Sequence, residues 1–255
     1  MSIIRKLIHQ QVALSKYFDE MFLPKKFLID GNQDYLKDFL PNMLDKISLL
    51  GSTVYDIGCG KNPAISIEIK QKLQAKVIGI DLSESELLQA PVGALDNCIG
   101  ADICNYHGQE DGDLLLCQAL LEHVPDVEAA FVSMASILRK GGVALIFVPS
   151  KNAIFARLNI LLPQRIKLYL LYSIFPTTRR DQGFPSFYNR CTPRDFRQLA
   201  AQYGFEVEEI RTYYKSSYFS FFFPMYFIWR LWILLFEKIN SEQSAETFCM
   251  KLRRI

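Results

Sequence analysis

Four residues have types and spacing that could do chemistry: Asp56, Gly58, Gly60 and Asp81. The first three lie in Val54-Tyr55-Asp56-Ile57-Gly58-Cys59-Gly60-Lys61-Asn62-Pro63, and the fourth ends Lys76-Val77-Ile78-Gly79-Ile80-Asp81. Both runs read as short buried strands, the first breaking into a glycine turn, the second closing on an acid 25 positions after Asp56. Glycines let backbone approach a ligand closely, and a strand-end carboxylate can accept from both hydroxyls of a ribose. The pair therefore suits a nucleoside. A dinucleotide loop would want a third glycine at the sixth position from Gly58, where Pro63 stands. Asp56, placed before the turn, would repel phosphates and would suit a cation such as an amino group or a sulfonium.

The surrounding elements must position these groups. Asp113 to Gln118 reads as another apolar strand, followed by Ala119-Leu120-Leu121-Glu122-His123-Val124-Pro125. Apolar residues at Val127, Phe131, Met134, Ile137 and Leu138 then predict a helix that carries Arg139-Lys140 in its last turn and stops at Gly141-Gly142. Val143 to Val148 is a further apolar strand. Thr192 followed by Pro193 reads as an N-cap and first helical residue, with Gly204 closing that helix and Phe205 to Tyr214 forming a strand. At the far end, Phe248, Met250 and Leu252 alternate with polar residues as a last strand does.

In this order the motifs resemble class I S-adenosyl-L-methionine-dependent methyltransferases, over roughly residues 45 to 150 and 190 to 214. The Asp-x-Gly-x-Gly loop and the distant Asp81 carry the likeness, and Leu121-Glu122-His123-Val124 is typical of the type 11 small-molecule group. Asn62 replaces the third glycine of the loop and tolerates positive φ. The resemblance implies a doubly wound α/β domain over residues 46–255, built on a mostly parallel seven-stranded sheet. The last strand would insert antiparallel between the fifth and sixth. Residues 1–45 would form a helical cap. The implied cofactor is S-adenosyl-L-methionine. Asp56, Gly58, Cys59 and Gly60 would form its loop, Asp81 with Leu82 would hold the ribose, Asp102 with Ile103 the adenine amino group, and Cys117, Gln118 and Ala119 the methionyl end. His123 is the candidate base for an oxygen acceptor.

Composition bounds the rest. At 255 residues, half of them hydrophobic, the chain can bury one sizeable core. The six cysteines form no C-x-x-C pair, and with three scattered histidines no metal site is expected. Their predicted strand and turn positions suggest reduced thiols and a cytoplasmic compartment. No signal peptide is expected, because His9-Gln10-Gln11 breaks the first apolar run. Residues 1–150 hold 13 Lys/Arg against 19 Asp/Glu, and residues 151–255 hold 16 against 8. The acidic half carries the nucleoside motifs, so a nucleic-acid partner is not expected.

Two segments exceed a minimal domain of this kind. Residues 151–190 mix apolar surface with cations and read as an acceptor cap, where Arg179, Arg180 and Tyr188 are candidate substrate-binding residues for an anionic group. Tyr188 and Asp181 are weaker candidates than His123 for the base. Residues 216–240 include a Phe-rich run with Pro224 and Arg230 inside it, which count against a transmembrane span. An interfacial helix fits better, with Trp229 and Trp232 at headgroup level and Arg230 toward phosphates, on the inner membrane face. Packing on the protein's own core or on a dimer partner is the alternative. Ile3, Ile4, Leu7, Ile8 and Val12 predict an amphipathic helix, and Asp30 to Leu40 a second one ending near Pro41. Tyr17 and Lys26 could reach the methionine end of the cofactor. The expected acceptor is small or lipid-linked. Two rivals stay open: a Rossmann-type nucleotide enzyme, and a non-catalytic membrane- or partner-binding module on the same fold.

Overall fold

The computed structural model describes residues 3–46, 50–161, 163, 185–215 and 219–255. Seven strands form one sheet: β1 (Thr53–Ile57), β2 (Lys76–Asp81), β3 (Asn97–Gly100), β4 (Gly112–Gln118), β5 (Leu138–Pro149), β6 (Phe205–Tyr213) and β7 (Thr247–Arg254). Their order is β3-β2-β1-β4-β5-β7-β6. β1 pairs parallel to both β2 and β4, whereas β7 runs antiparallel to β5 and to β6. The inserted antiparallel strand is the one expected from Phe248, Met250 and Leu252, all wholly buried. Central strands such as β4 are apolar through their middle, Leu114 to Cys117, because both faces are covered.

Helices follow the expected caps. α1 spans Ile3–Phe22, α2 Gly31–Asp34, α3 Leu40–Lys46, α4 Ile67–Leu73, α5 Glu84–Leu87, α6 Val127–Ile137, α7 Ile154–Leu161, α8 Pro193–Gln202 and α9 Phe223–Ile239. Thr192 accepts from the Asp195 amide and Pro193 takes the first position of α8, as its sequence predicts. α6 and α8 cover one face of the sheet through Phe131, Phe196 and Leu199, while Tyr35, Phe39 and Met43 cover the other. A third cluster lies apart: Leu23, Phe27, Tyr214, Tyr226, Trp229 and Ile233 join α1 to α9.

Three expectations are corrected. Gly141-Gly142 does not cap α6; the helix stops at Ile137 and β5 starts at Leu138, which pairs with Gly112 before the ladder resumes at Val143 and Leu114. Gly141 has φ of 80°, and a Cβ on Gly142 would sit 2.9 Å from the Gly112 carbonyl oxygen. These glycines serve a kink in the strand. Pro41 does not end its helix either. The segment Tyr35–Phe39 widens into a π-turn, with the Leu40 amide donating to the Tyr35 carbonyl, and α3 continues through Pro41. A proline inside a helix cannot donate and crowds the preceding turn, and a widened turn relieves both.

The third correction concerns α9. Trp229 and Arg230 do not face outward; they are 2% and 1% exposed. Arg230 donates from Nε to Asp19 at 3.2 Å, from Nη1 to the Tyr214 carbonyl at 2.6 Å, and from Nη2 to the Phe27 carbonyl at 3.0 Å. The Tyr226 hydroxyl donates to the other Asp19 oxygen. A buried guanidinium is tolerable only with such partners. Among the described residues, no helix is long and apolar enough to cross a membrane.

Candidate functional site

The strand order reverses between β1 and β4, so their carboxyl ends open a crevice where α/β sheets bind ligands. A cavity of about 170 Å³ lies there, lined by Asp56, Ile57, Gly58, Cys59, Asn62, Ala64, Gln118 and Ala119. The turn after β1 is built by backbone that only some residues tolerate. Gly58 has φ of 71° and Gly60 of 48°. A Cβ on Gly58 would meet the Leu120 side chain at 2.8 Å.

The acids around this turn are held by main chain. Asp56 is buried and accepts from the Ala64 amide at 2.6 Å, and burial raises its carboxyl to about 7. Asp81 accepts from the Gly60 amide at 3.0 Å and from the Ser83 amide at 2.9 Å, one on each oxygen. A carboxylate oxygen has two lone pairs, so one on each remains for a ribose hydroxyl. Leu82 beside it is exposed. Asp102 follows β3, where it accepts from the Cys104 amide at 2.9 Å and from the Asn105 side chain at 3.3 Å; Ile103 is buried next to it.

On the β4 side, Cys117 is wholly buried and Gln118 lines the cavity. Gln118 donates to the Asn32 side chain at 2.9 Å, which ties the segment before β1 to the site. Ala119 has φ of 51° and donates its amide to the Phe147 carbonyl at 2.8 Å. Sequence reasoning missed Asn32 and Ala64; Asn62, read as standing in for the loop's third glycine, does line the cavity but without a positive φ. Tyr17 and Lys26 are not at the site: Tyr17 is exposed on α1, and Lys26 pairs with Glu237 at 2.6 Å.

His123 ends a 3-10 turn, Leu121–His123, four residues past Ala119. Its Nδ1 lies 2.9 Å from the Pro185 carbonyl and 3.3 Å from Ser186 Oγ. A carbonyl only accepts, so Nδ1 carries the proton and Nε2 is the acceptor nitrogen of the neutral ring. Glu122 is 4% exposed, has Oε1 3.8 Å from Nε2, and has a buried Oε2 with no hydrogen-bond partner among the described residues. Burial raises its carboxyl to about 8, so at neutral pH it is an acid beside an imidazole and not an ion pair. Tyr188 is also brought here: it is buried, has φ of 50°, donates its amide to the Glu122 carbonyl at 3.0 Å and packs edge-on against Phe155. Arg179, Arg180 and Asp181 lie outside the described residues.

The residues present fit S-adenosyl-L-methionine. A buried acid lines the cavity at a glycine turn that leaves backbone exposed to a ligand, and a second acid keeps free lone pairs at the end of the adjacent strand. The hydroxyl of wholly buried Tyr35 has no hydrogen-bond partner among the described residues.

Comparison with known proteins agrees with this geometry. The model of the methyltransferase domain family matches residues 29–210. A ubiquinone biosynthesis O-methyltransferase from Cupriavidus pinatubonensis is 28% identical over 201 residues, covering 71% of this chain and 74% of that protein. Its counterpart from Stutzerimonas stutzeri is 32% identical over 119 residues, covering 44% and 50%. Among solved structures, an S-adenosylmethionine-dependent methyltransferase from Mesorhizobium loti superposes with a TM-score of 0.53 at 17% identity, covering 84% of this chain and 96% of that one. Magnesium protoporphyrin IX methyltransferase from Synechocystis, with bound S-adenosylhomocysteine, gives 0.52 at 18%, covering 92% and 88%. The chain belongs to the methyltransferase domain family, as a class I enzyme that depends on S-adenosyl-L-methionine.

Proposed function

We propose that the methyl group goes to an oxygen of a small, ring-bearing acceptor, and that the acceptor carries a lipid tail. The observation that carries the oxygen is His123, whose Nδ1 is held by the Pro185 carbonyl so that in the neutral ring Nε2 is the acceptor nitrogen. An oxygen acceptor needs such a base, whereas a carboxylate or thiolate does not. The two relatives at 28% and 32% identity bear the name of ubiquinone biosynthesis O-methyltransferase, and ubiquinone is a ring with methoxy groups and an isoprenoid chain.

The cofactor, when bound, supplies an activated methyl on a sulfonium carbon, so the protein's task is orientation, desolvation and proton removal. Asp81 holds the ribose. Asp56 faces the amino end, and its charge is available once its raised carboxyl has released the proton. Leu82 would join Asp81 at the ribose, and Asp102 with Ile103 beside it would accept from the adenine amino group. Backbone at Cys59 and at Cys117 to Ala119 orients the methionyl portion. His123 Nε2 takes the hydroxyl proton as the oxygen attacks. Glu122, whose carboxyl burial raises to about 8, lies beside it, with Oε1 3.8 Å from Nε2. Tyr188 shapes the acceptor side, and Arg179 and Arg180 remain candidates for an anionic acceptor group.

The test is transfer of labelled methyl from S-adenosyl-L-methionine to catechols with and without an isoprenoid tail, in the wild type and in His123→Ala. Loss of a positioned base costs roughly a hundredfold or more in rate. Product methylated on oxygen by the wild type, preferentially on the tailed catechol and slowed by the substitution, is the expected result. Undiminished transfer in His123→Ala would overturn the base assignment.

A further inference from the structure

α1 and α9 lie side by side and run the same way: Gln11 accepts from the Phe223 amide, Asp19 binds Tyr226 and Arg230, and Lys26 binds Glu237. Their inner faces are used up by the buried cluster. Their outer faces are apolar as well. On α9, Met225, Ile228, Trp232, Leu235 and Ile239 recur at three- and four-residue steps and are all exposed. On α1, Leu7, Leu14, Met21 and Phe22 are exposed too. Phe18 bridges the two helices, stacked on Phe22 and edge-on to Phe223 and Phe227, so the two stripes form one continuous surface. Surface of this extent on a folded protein marks a binding face.

Charge selects the occupant. Lys6 flanks the exposed stripe of α1 and Lys238 that of α9, and both are exposed, whereas exposed Arg5 and Lys16 lie half a turn away from Leu14 and Leu7 on the far side of α1. Glu20 is the one exposed acid on the two helices; Asp19 is buried against Arg230, and Glu237 is paired to Lys26. A second copy of the chain would bring the same excess of cations to the same place. An anionic bilayer complements both the apolar stripe and its basic rim, and exposed Trp232 suits the headgroup level. The platform also sits on the functional edge of the sheet. Arg230 holds the Tyr214 carbonyl just past the end of β6, and Asn32, shortly after α1, holds Gln118 at the end of β4.

We propose that the outer face of the α1–α9 pair docks flat on an anionic lipid surface, with Ile228, Trp232 and Leu235 inserted and Lys6 and Lys238 at the headgroups. Arg230 is not part of the contact; it pins the two helices together from inside. This is independent of which acceptor is methylated.

The test is flotation of the full chain with vesicles of phosphatidylcholine plus phosphatidylglycerol, and with phosphatidylcholine alone. The variants are Ile228→Glu/Trp232→Glu and Lys6→Gln/Lys238→Gln, with S-adenosylhomocysteine binding confirming that each is folded. Wild type is expected to float with the anionic vesicles and much less with the neutral ones. The acidic pair should abolish flotation, and each neutralised cation should weaken it about fivefold at low salt. Absence of wild-type flotation, or equal flotation of all variants, would overturn the proposal. So would a dimer in sedimentation analysis that forms without lipid and dissolves in Ile228→Glu/Trp232→Glu, because the face would then belong to a second copy.

Discussion

Replacing Asp19 by alanine should be among the most damaging single changes outside the cofactor crevice. The carboxylate is 7% exposed and meets the Nε of Arg230 at 3.2 Å and the hydroxyl of Tyr226. Arg230 keeps only two backbone carbonyls without it, and its side chain is fully buried. Breaking one side of a buried pair leaves an uncompensated charge and costs about 3–5 kcal/mol. For a chain of this size each kcal/mol lowers the melting temperature by about 2–4 °C, so Asp19→Ala should melt roughly 6–20 °C lower. Arg230→Met should cost less, because Met is apolar and Asp19 retains Tyr226. The double variant Asp19→Ala/Arg230→Met should lie much nearer wild type than the sum of the single effects, because no charge is left buried. Urea unfolding of all four proteins closes the cycle. Additive effects, or a cost below about 1 kcal/mol for Asp19→Ala, would refute the internal pin and reopen an outward-facing Arg230.

The pH dependence of stability should carry the mark of Glu122. Its carboxyl titrates at about 8 when folded, whereas an ordinary glutamate titrates near about 4.3. The folded chain thus holds a proton that the unfolded chain releases. The contribution is fully present below the ordinary carboxylate range and is lost as pH rises toward 8, at about 1.4 kcal/mol per pH unit. Glu122→Gln should flatten that slope in unfolding measured from pH 5 to 9. Cofactor affinity should rise with pH through about 7 if charged Asp56 meets the amino end, and Asp56→Asn should remove this dependence in calorimetry. Gly58→Ala forces a side chain into φ of 71° against Leu120 and should weaken S-adenosylhomocysteine binding, at a strain of about 1–2 kcal/mol. Gly93→Ala, also at positive φ but with nothing within 4 Å, should match the strain and leave binding intact.

Much of this was legible in the chain. The Asp56 to Gly60 turn, Asp81, the Thr192–Pro193 start of α8 and the alternation of β7 are local patterns whose meaning does not depend on distant residues. The errors share a physical cause. Gly141-Gly142 looks like a helix stop, yet Leu138 finds a strand partner in Gly112, and tertiary pairing overrides the local signal. Pro41 looks like a helix end, yet the π-turn before it accommodates the ring. Arg230 among aromatics looks like an outward cation, because its partners Asp19, Phe27 and Tyr214 are far away in sequence. Asn32 and Ala64 act through an amide and a backbone N–H, and nothing in residue type marks such a role.

The most direct test is calorimetric titration of S-adenosyl-L-methionine and S-adenosylhomocysteine into the wild type and Asp81→Ala. Asp81 is the group that ties the Gly60 turn to the end of β2, with a lone pair left on each oxygen. Micromolar binding by the wild type, lost in a variant that remains folded, is the expected outcome. Equal binding by both proteins, or none by a well-folded wild type, would contradict the crevice as the cofactor site.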